Sequence, residues 1–233
     1  HTGSSAASDV YKRQTIPCKT FDECFEKSSN DSSVKSLIPE SNKTTGNIGV
    51  EYLIFKYRLN IYAEHFFPIN HNLLGIKGSK LSEIKDVYSH AQALSQSSSF
   101  IKKNKLIENV RADTAGSAKY VSEANDKTKA AIASSLSAEI YGLKILQENV
   151  QDDKDNVTRF LLLGKDIFQP DFNNESYITS ILFKLKSKPA ALYSALSGFA
   201  INGVNMSKLQ SFPEKNSFSS YFFLCELDGH IHE

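Results

Sequence analysis

The hydrophobic period of this chain keeps changing, and that alternation is the strongest constraint on its fold. "VKSLIP" and "KAAIASS" are compact apolar runs of strand length. "KTFDECFEK" places Phe21, Cys24 and Phe25 at helical spacing behind a Thr20 cap, and "NIGVEYLIFKYRL" puts Val50, Leu53, Ile54 and Tyr57 on one helical face. "IYAEHFFPINHNLLGI" breaks at Pro68 into short alternating stretches that suit strands. A helix is expected after Ser89, a short strand near Asn109 to Arg111, and a helix from Thr114 to about Asn125. "SAEIYGLKIL" then reads as a helix and "NVTRFLLLG" as a strand. Alternation of this kind predicts a parallel α/β sheet with helices on both faces.

A polar, Pro170-containing stretch, "IFQPDFNNESY", marks a linker near residues 167–176. Beyond it come strand "ITSILFKLK", turn "SKP", helix "AALYSALSGFAING" and strands "VNMSKLQSFP" and "SYFFLCELDG". This βαββ order, with Pro189 in the first helical turn and Gly203 at the stop, predicts most of a ferredoxin-like α+β domain over 176–233. A closing helix and strand are missing from that pattern. Residues 1–14 lack periodicity, and "SDVYKRQ" resembles a translated sequencing adapter, so that segment is set aside as non-native and both ends read as cut.

At 233 residues and 40% apolar, the chain can bury a sizeable core. Its 27 Lys and Arg against 26 Asp and Glu give no global field to attract nucleic acid or an anionic membrane. Cys18, Cys24 and Cys225 show neither a disulfide framework nor metal-like spacing, and the histidines show no ligand spacing, so no metal is expected. No apolar run reaches the roughly 20 residues that span a bilayer. A soluble cytoplasmic protein is the resulting expectation.

Ligands of open α/β sheets bind where strands hand over to helices. Four junctions there carry small hydroxyls and amides: "IPESNKTTG", "VYSHAQALSQ", "RADTAGSAK" and "DNVTRF". Such groups beside unpaired backbone N–H groups suit a carboxylate. The long segments "YSHAQALSQ", "DTAGSAKYVSE", "AAIASSLSAEIYGLKILQENVQDDKDNVTRFLLLGK" and "KPAALYSALSGFAINGVNMSKLQSFP", in this order, resemble prephenate dehydratase followed by an ACT regulatory domain.

The resemblance implies a two-lobed catalytic domain of type II periplasmic-binding-protein-like fold over 15–168, plus a partial ferredoxin-like α+β ACT domain. Lobe one would hold about 15–63 and 150–168, and lobe two about 64–149. It implies loss of water and carbon dioxide from prephenate without a cofactor, and feedback by L-phenylalanine in a homodimer or homotetramer. Thr158 matches the family's essential threonine and would assist the leaving hydroxyl, while Arg159 would counter a substrate carboxylate or brace the cleft. Asn42, Ser89 and Gln96 match cleft residues, Thr114 a helix-start hydroxyl near a carboxylate, and Phe160 an apolar wall.

Ala190, Leu192, Asn205 and Ser211 match effector contacts. Ala190 stands where the family has glycine, and Gln210-Ser211-Phe212-Pro213 where it has Glu-Ser-Arg-Pro. Without the resemblance, Thr158 would be an ordinary strand-edge threonine, Ser89 and Thr114 helix caps, and His90 a structural histidine. Arogenate dehydration and a non-catalytic amino-acid-sensing protein are the competing functions.

Overall fold

The computed structural model describes residues 14–173, 176–214 and 220–232. All but the last residue of the adapter-like segment therefore lies outside the described residues. The chain forms two compact units, one drawn from residues 1–37, 50–63 and 162–233, the other from 38–49 and 64–161.

The first unit opens with α1 (Phe21–Asn30), where the Thr20 hydroxyl accepts from Glu23 N at 3.2 Å and Phe25 is fully buried. It also holds α2 (Glu51–Tyr57), whose Tyr57 ring lies 5.9 Å from that of Phe25. The tail follows as β10 (Ile178–Lys184), α7 (Ala191–Ile201), β11 (Met206–Pro213) and β12 (Tyr221–Asp228). Its sheet order, β10–β12–β11, sets the last strand antiparallel between the other two. That is the split βαβ arrangement expected of the βαββ pattern.

The helix start differs from expectation. Pro189 precedes the helix rather than entering its first turn, because Ala190 takes the N-cap place with a left-handed backbone, φ 59° and ψ 10°. An alanine methyl opposes that conformation, which glycine adopts freely.

The second unit is built on a five-stranded sheet, β6 (Ile107–Arg111), β5 (Asp86–His90), β7 (Lys129–Ala133), β4 (Asn72–Gly75) and β8 (Lys144–Gln147). The sheet is mixed, not parallel: β5 runs parallel to β6 and β7, while β4 runs antiparallel to β7 and β8. An apolar run reads the same in either direction, so hydrophobic pattern does not fix strand polarity. "SAEIYGLKIL" also divides. Helix α6 (Ser135–Tyr141) stops at Gly142, φ 65°, and Lys144–Gln147 becomes the edge strand β8.

Alternation along the strands builds a core on each face of this sheet. Leu73, Ala130 and Ile132 pack with Leu94 of α3 (Ala91–Ser95) and Ile101 of α4 (Ser98–Lys103). Leu74, Ala131 and Ala133 pack on the other face with Ala118 and Val121 of α5 (Thr114–Ala124) and Ala138 of α6. Helices on both faces were expected and are found.

A second sheet has the order β2 (Gly46–Asn47), β1 (Ser36–Asn42), β9 (Val157–Gly164) and β3 (Asn60–Pro68). Strands β1, β3 and β9 contribute residues to both units.

Ala190→Gly should relieve the left-handed strain and raise unfolding stability by up to about 1 kcal/mol, read from the midpoint of urea unfolding.

Candidate active site

The backbone bond from Lys43 N to Val157 O, 2.8 Å, holds the end of β1 beside the start of β9. Strand alternation then places Thr158 and Phe160 on one face of β9 and Arg159 on the other. Asn156, just ahead of the strand, joins the Thr158 side.

Asn42 organises what lies there. Its Oδ1 accepts from Thr44 N at 3.0 Å, Thr45 N at 3.1 Å and Thr45 Oγ1 at 3.2 Å. Backbone N–H groups only donate, so the amide cannot be reversed. Its Nδ2 therefore donates both to Asn156 Oδ1, 2.7 Å, and to Thr158 Oγ1, 2.9 Å. Asn156 Nδ2 in turn donates to Gln96 Oε1 at 3.1 Å, and His71 Nε2 lies 3.0 Å from the same oxygen.

Asn42, His71, Asn156 and Thr158 are all buried. Because Thr158 Oγ already receives an amide N–H, its own proton remains the group it can offer outward. A hydroxyl polarised in this way is a better donor. Gln96 Nε2 is also buried, and it has no acceptor among the described residues. The arrangement can hold an anion and donate a proton to a leaving oxygen.

Residues 3–167 match the family model described as prephenate dehydratase. The chain belongs to the prephenate dehydratase family.

Arogenate dehydratase 2 of Petunia hybrida is 37% identical over 211 residues, covering 90% of this chain and 53% of that protein. A bifunctional N-acyl-homoserine lactone acylase/prephenate dehydratase of Komagataeibacter europaeus is 35% identical over 232 residues, covering 97% of this chain and 83% of that protein. The crystal structure of prephenate dehydratase in complex with L-Phe from Arthrobacter aurescens superposes with TM-score 0.82 at 27% identity, covering 98% of this chain and 75% of that one. The chain spans about half the length of the plant relatives it matches. Its fold is the α/β, type II periplasmic-binding-protein-like class of its solved relatives.

Within this prephenate dehydratase fold the expected site residues separate. Asn42, Thr158 and Gln96 are joined in one hydrogen-bonded chain. Ser89 is not part of it: its hydroxyl donates to Ile132 O at 2.6 Å inside the five-stranded sheet. Thr114 is half-buried at the start of α5, where Asp113 is the cap, and Phe160 is half-buried on the Thr158 face. His90 is exposed and caps α3, its Nδ1 accepting from Gln92 N at 3.3 Å.

Arg159 faces away from Thr158. Its Nε donates to Glu64 Oε2 at 2.7 Å and its Nη1 to Glu40 Oε2 at 3.4 Å, with Glu40 fully buried. Ser41 Oγ also donates to Glu40, at 2.6 Å. This geometry favours bracing over direct contact with a substrate.

In the tail, Asn205 Nδ2 donates to Asp228 Oδ2, Leu192 is half-buried on α7, and Ser211 is exposed on β11. The adjacent Phe212 is buried. Among the described residues no group of His, Cys, Asp or Glu side chains could hold a metal.

Sequence reasoning missed Asn156 and His71. Asn156 could have been found, since it stands two residues before Thr158 and shares its strand face. His71 stands between Asn70 and Asn72 in "INHNLL", and only tertiary structure brings it to Gln96.

Removing Arg159 leaves Glu40 buried without its cation. Arg159→Leu should cost about 3–5 kcal/mol in urea unfolding, and Glu40→Leu in the same chain should recover most of that loss.

Proposed function

We propose that this chain catalyses the decarboxylative dehydration of prephenate to phenylpyruvate. The observation that carries the reading is the Thr158 hydroxyl, held by Asn42 Nδ2 at 2.9 Å with its own proton free to be donated. In the reaction the ring C–O bond breaks and hydroxide leaves as water, taking a proton delivered at Thr158. The bond from ring to carboxylate breaks at the same time, its electron pair entering the ring as carbon dioxide departs. Thr158 regains its proton from solvent, so atoms and charge balance. Aromatisation drives the step, and no redox or electron-sink cofactor is required.

The protein has two tasks: to hold a dianion and to aid one leaving group. Gln96 Nε2 supplies a buried donor for a carboxylate, and Phe160 a wall for the ring. Arg159 braces β9 through Glu40 and Glu64. Arogenate, which carries an amino group in place of the keto group, is the second substrate to test, since the Petunia relative is named an arogenate dehydratase.

The tail is read as an ACT domain binding L-phenylalanine around Ala190, Leu192, Asn205 and Ser211. The Arthrobacter relative was solved with L-Phe, which supports that assignment. Helix α7 is rich in apolar residues, Leu192, Leu196, Phe199 and Ile201 among them, and none of its residues is buried, as expected of a helix covered by a second copy in a homodimer or homotetramer. Three free thiols, Cys18, Cys24 and Cys225, fit a reducing cytoplasm. No helix among the described residues is long and apolar enough to cross a membrane.

Thr158→Val keeps the shape and removes the donor. It should lower kcat on prephenate by about 10²–10⁴-fold, the range of a placed acid, while Thr158→Ser keeps a measurable share. Turnover by Thr158→Val equal to wild type would overturn the assignment. A folded wild-type chain inert toward both prephenate and arogenate would favour the amino-acid-sensing function. Adding L-phenylalanine should slow turnover or enlarge the oligomer seen by light scattering. A tail that changes neither serves packing alone.

A further inference from the structure

His71 lies outside every residue matched to the reaction, yet it terminates the hydrogen-bonded chain that ends on Thr158. The direction of that chain follows from its fixed end. Thr44 N and Thr45 N hold Asn42 Oδ1, so Asn42 must donate to Asn156 Oδ1. Asn156 must then donate from Nδ2 to Gln96, and Gln96 must present Oε1. His71 Nε2, 3.0 Å from Oε1, meets an acceptor. Only a nitrogen bearing a proton satisfies it.

We propose that His71 is a positioning residue for the dehydration, donating from Nε2 to fix the amide direction of Gln96 and, through Asn156 and Asn42, the hydrogen bond received by Thr158. The inference rests on the dehydratase reading given above.

The opposite tautomer shows why. With the proton on Nδ1, a lone pair on Nε2 faces the lone pairs of Gln96 Oε1. Turning the Gln96 amide cures that contact but sets its NH2 against the NH2 of Asn156. Turning Asn156 moves the conflict to Asn42, which its backbone donors hold in place. Each arrangement leaves one buried pair mismatched, and the last one competes for the amide hydrogen that Thr158 receives. The Nε2–H tautomer also leaves Gln96 Nε2, which has no acceptor among the described residues, as the atom offered to a ligand.

The ring itself is held for this task. His71 N donates to Gln151 Oε1 at 3.0 Å, and His71 O accepts from Val150 N at 2.8 Å. Burial lowers the imidazole pKa below its usual 6.5, which favours the neutral ring and makes the choice of tautomer matter. The Gln96 contact opposes that shift only in part.

Two measurements on the whole chain test this. Long-range proton–nitrogen correlation spectra of the wild type, with His71 assigned by the signals lost in His71→Gln, should show the proton on Nε2 and a bare Nδ1. In steady-state assays, His71→Leu should lower kcat tenfold or more. His71→Gln, whose amide N–H reaches the place of Nε2–H, should exceed His71→Leu at least fivefold.

A proton on Nδ1 overturns the inference, as do equal kcat values for the two variants beside an active wild type. If His71→Leu fails to fold, the tautomer spectrum decides alone. A wild type without turnover refutes the dehydratase reading instead, and the spectrum still tests the hydrogen-bond direction.

Discussion

Asn42 engages both amide hydrogens and its carbonyl oxygen with fixed partners, and the direction of the polar chain follows from that. Two backbone N–H groups of the turn after β1 hold Oδ1, which leaves Nδ2 for Thr158 and Asn156. A buried donor or acceptor without a partner costs about 1–3 kcal/mol, more than a typical bond contributes when made. Reversal of any amide along Asn42, Asn156 and Gln96 incurs that cost. The turn "NKTTG" thus sets which atom of Thr158 remains available, although it contributes no reacting group.

The period of two in strand β9 sends Thr158 and Arg159 into different surroundings. Thr158 and Phe160 share one face, and Arg159 projects from the other into Glu40 and Glu64. A guanidinium gripped by two carboxylates is poorly placed to meet a third from a ligand, because moving it would leave Glu40 buried and charged. On the dehydratase reading, Thr158 is then a donor and Arg159 a brace. Leu161 and Leu163, both fully buried, anchor the strand beyond them.

Much of this was legible in the sequence because local pattern and tertiary structure agree. The hydrophobic period placed the helices after Ser89 and Thr114 and the strand at "NVTRFLLLG", and the βαββ order of the tail followed from its turn residues. Strand polarity was not legible, which is why a mixed sheet was read as parallel. "SAEIYGLKIL" was read as one helix because Ala138, Tyr141 and Ile145 stand at i, i+3 and i+7. Gly142 at φ 65° breaks it, a backbone feature that composition only hints at. Ser89 was matched to the cleft by the resemblance, and its hydroxyl donates to Ile132 O, a contact that sequence spacing does not announce.

Gln96 Nε2 is buried with no acceptor among the described residues, a state that a folded protein must have a reason to tolerate. Gln96 Oε1 is fully engaged by Asn156 and His71, so the amide cannot turn to relieve its nitrogen without mispairing two neighbours. The network therefore stabilises a local defect that no single side-chain rotation removes. On the dehydratase reading, an anionic oxygen placed at that nitrogen restores the missing bond, and charged acceptors form hydrogen bonds roughly twice as strong as neutral ones. Binding then recovers a free energy that folding left unrecovered. A site of this kind selects for negative charge at one point without carrying a positive side chain there, consistent with Arg159 being committed to the opposite face of β9.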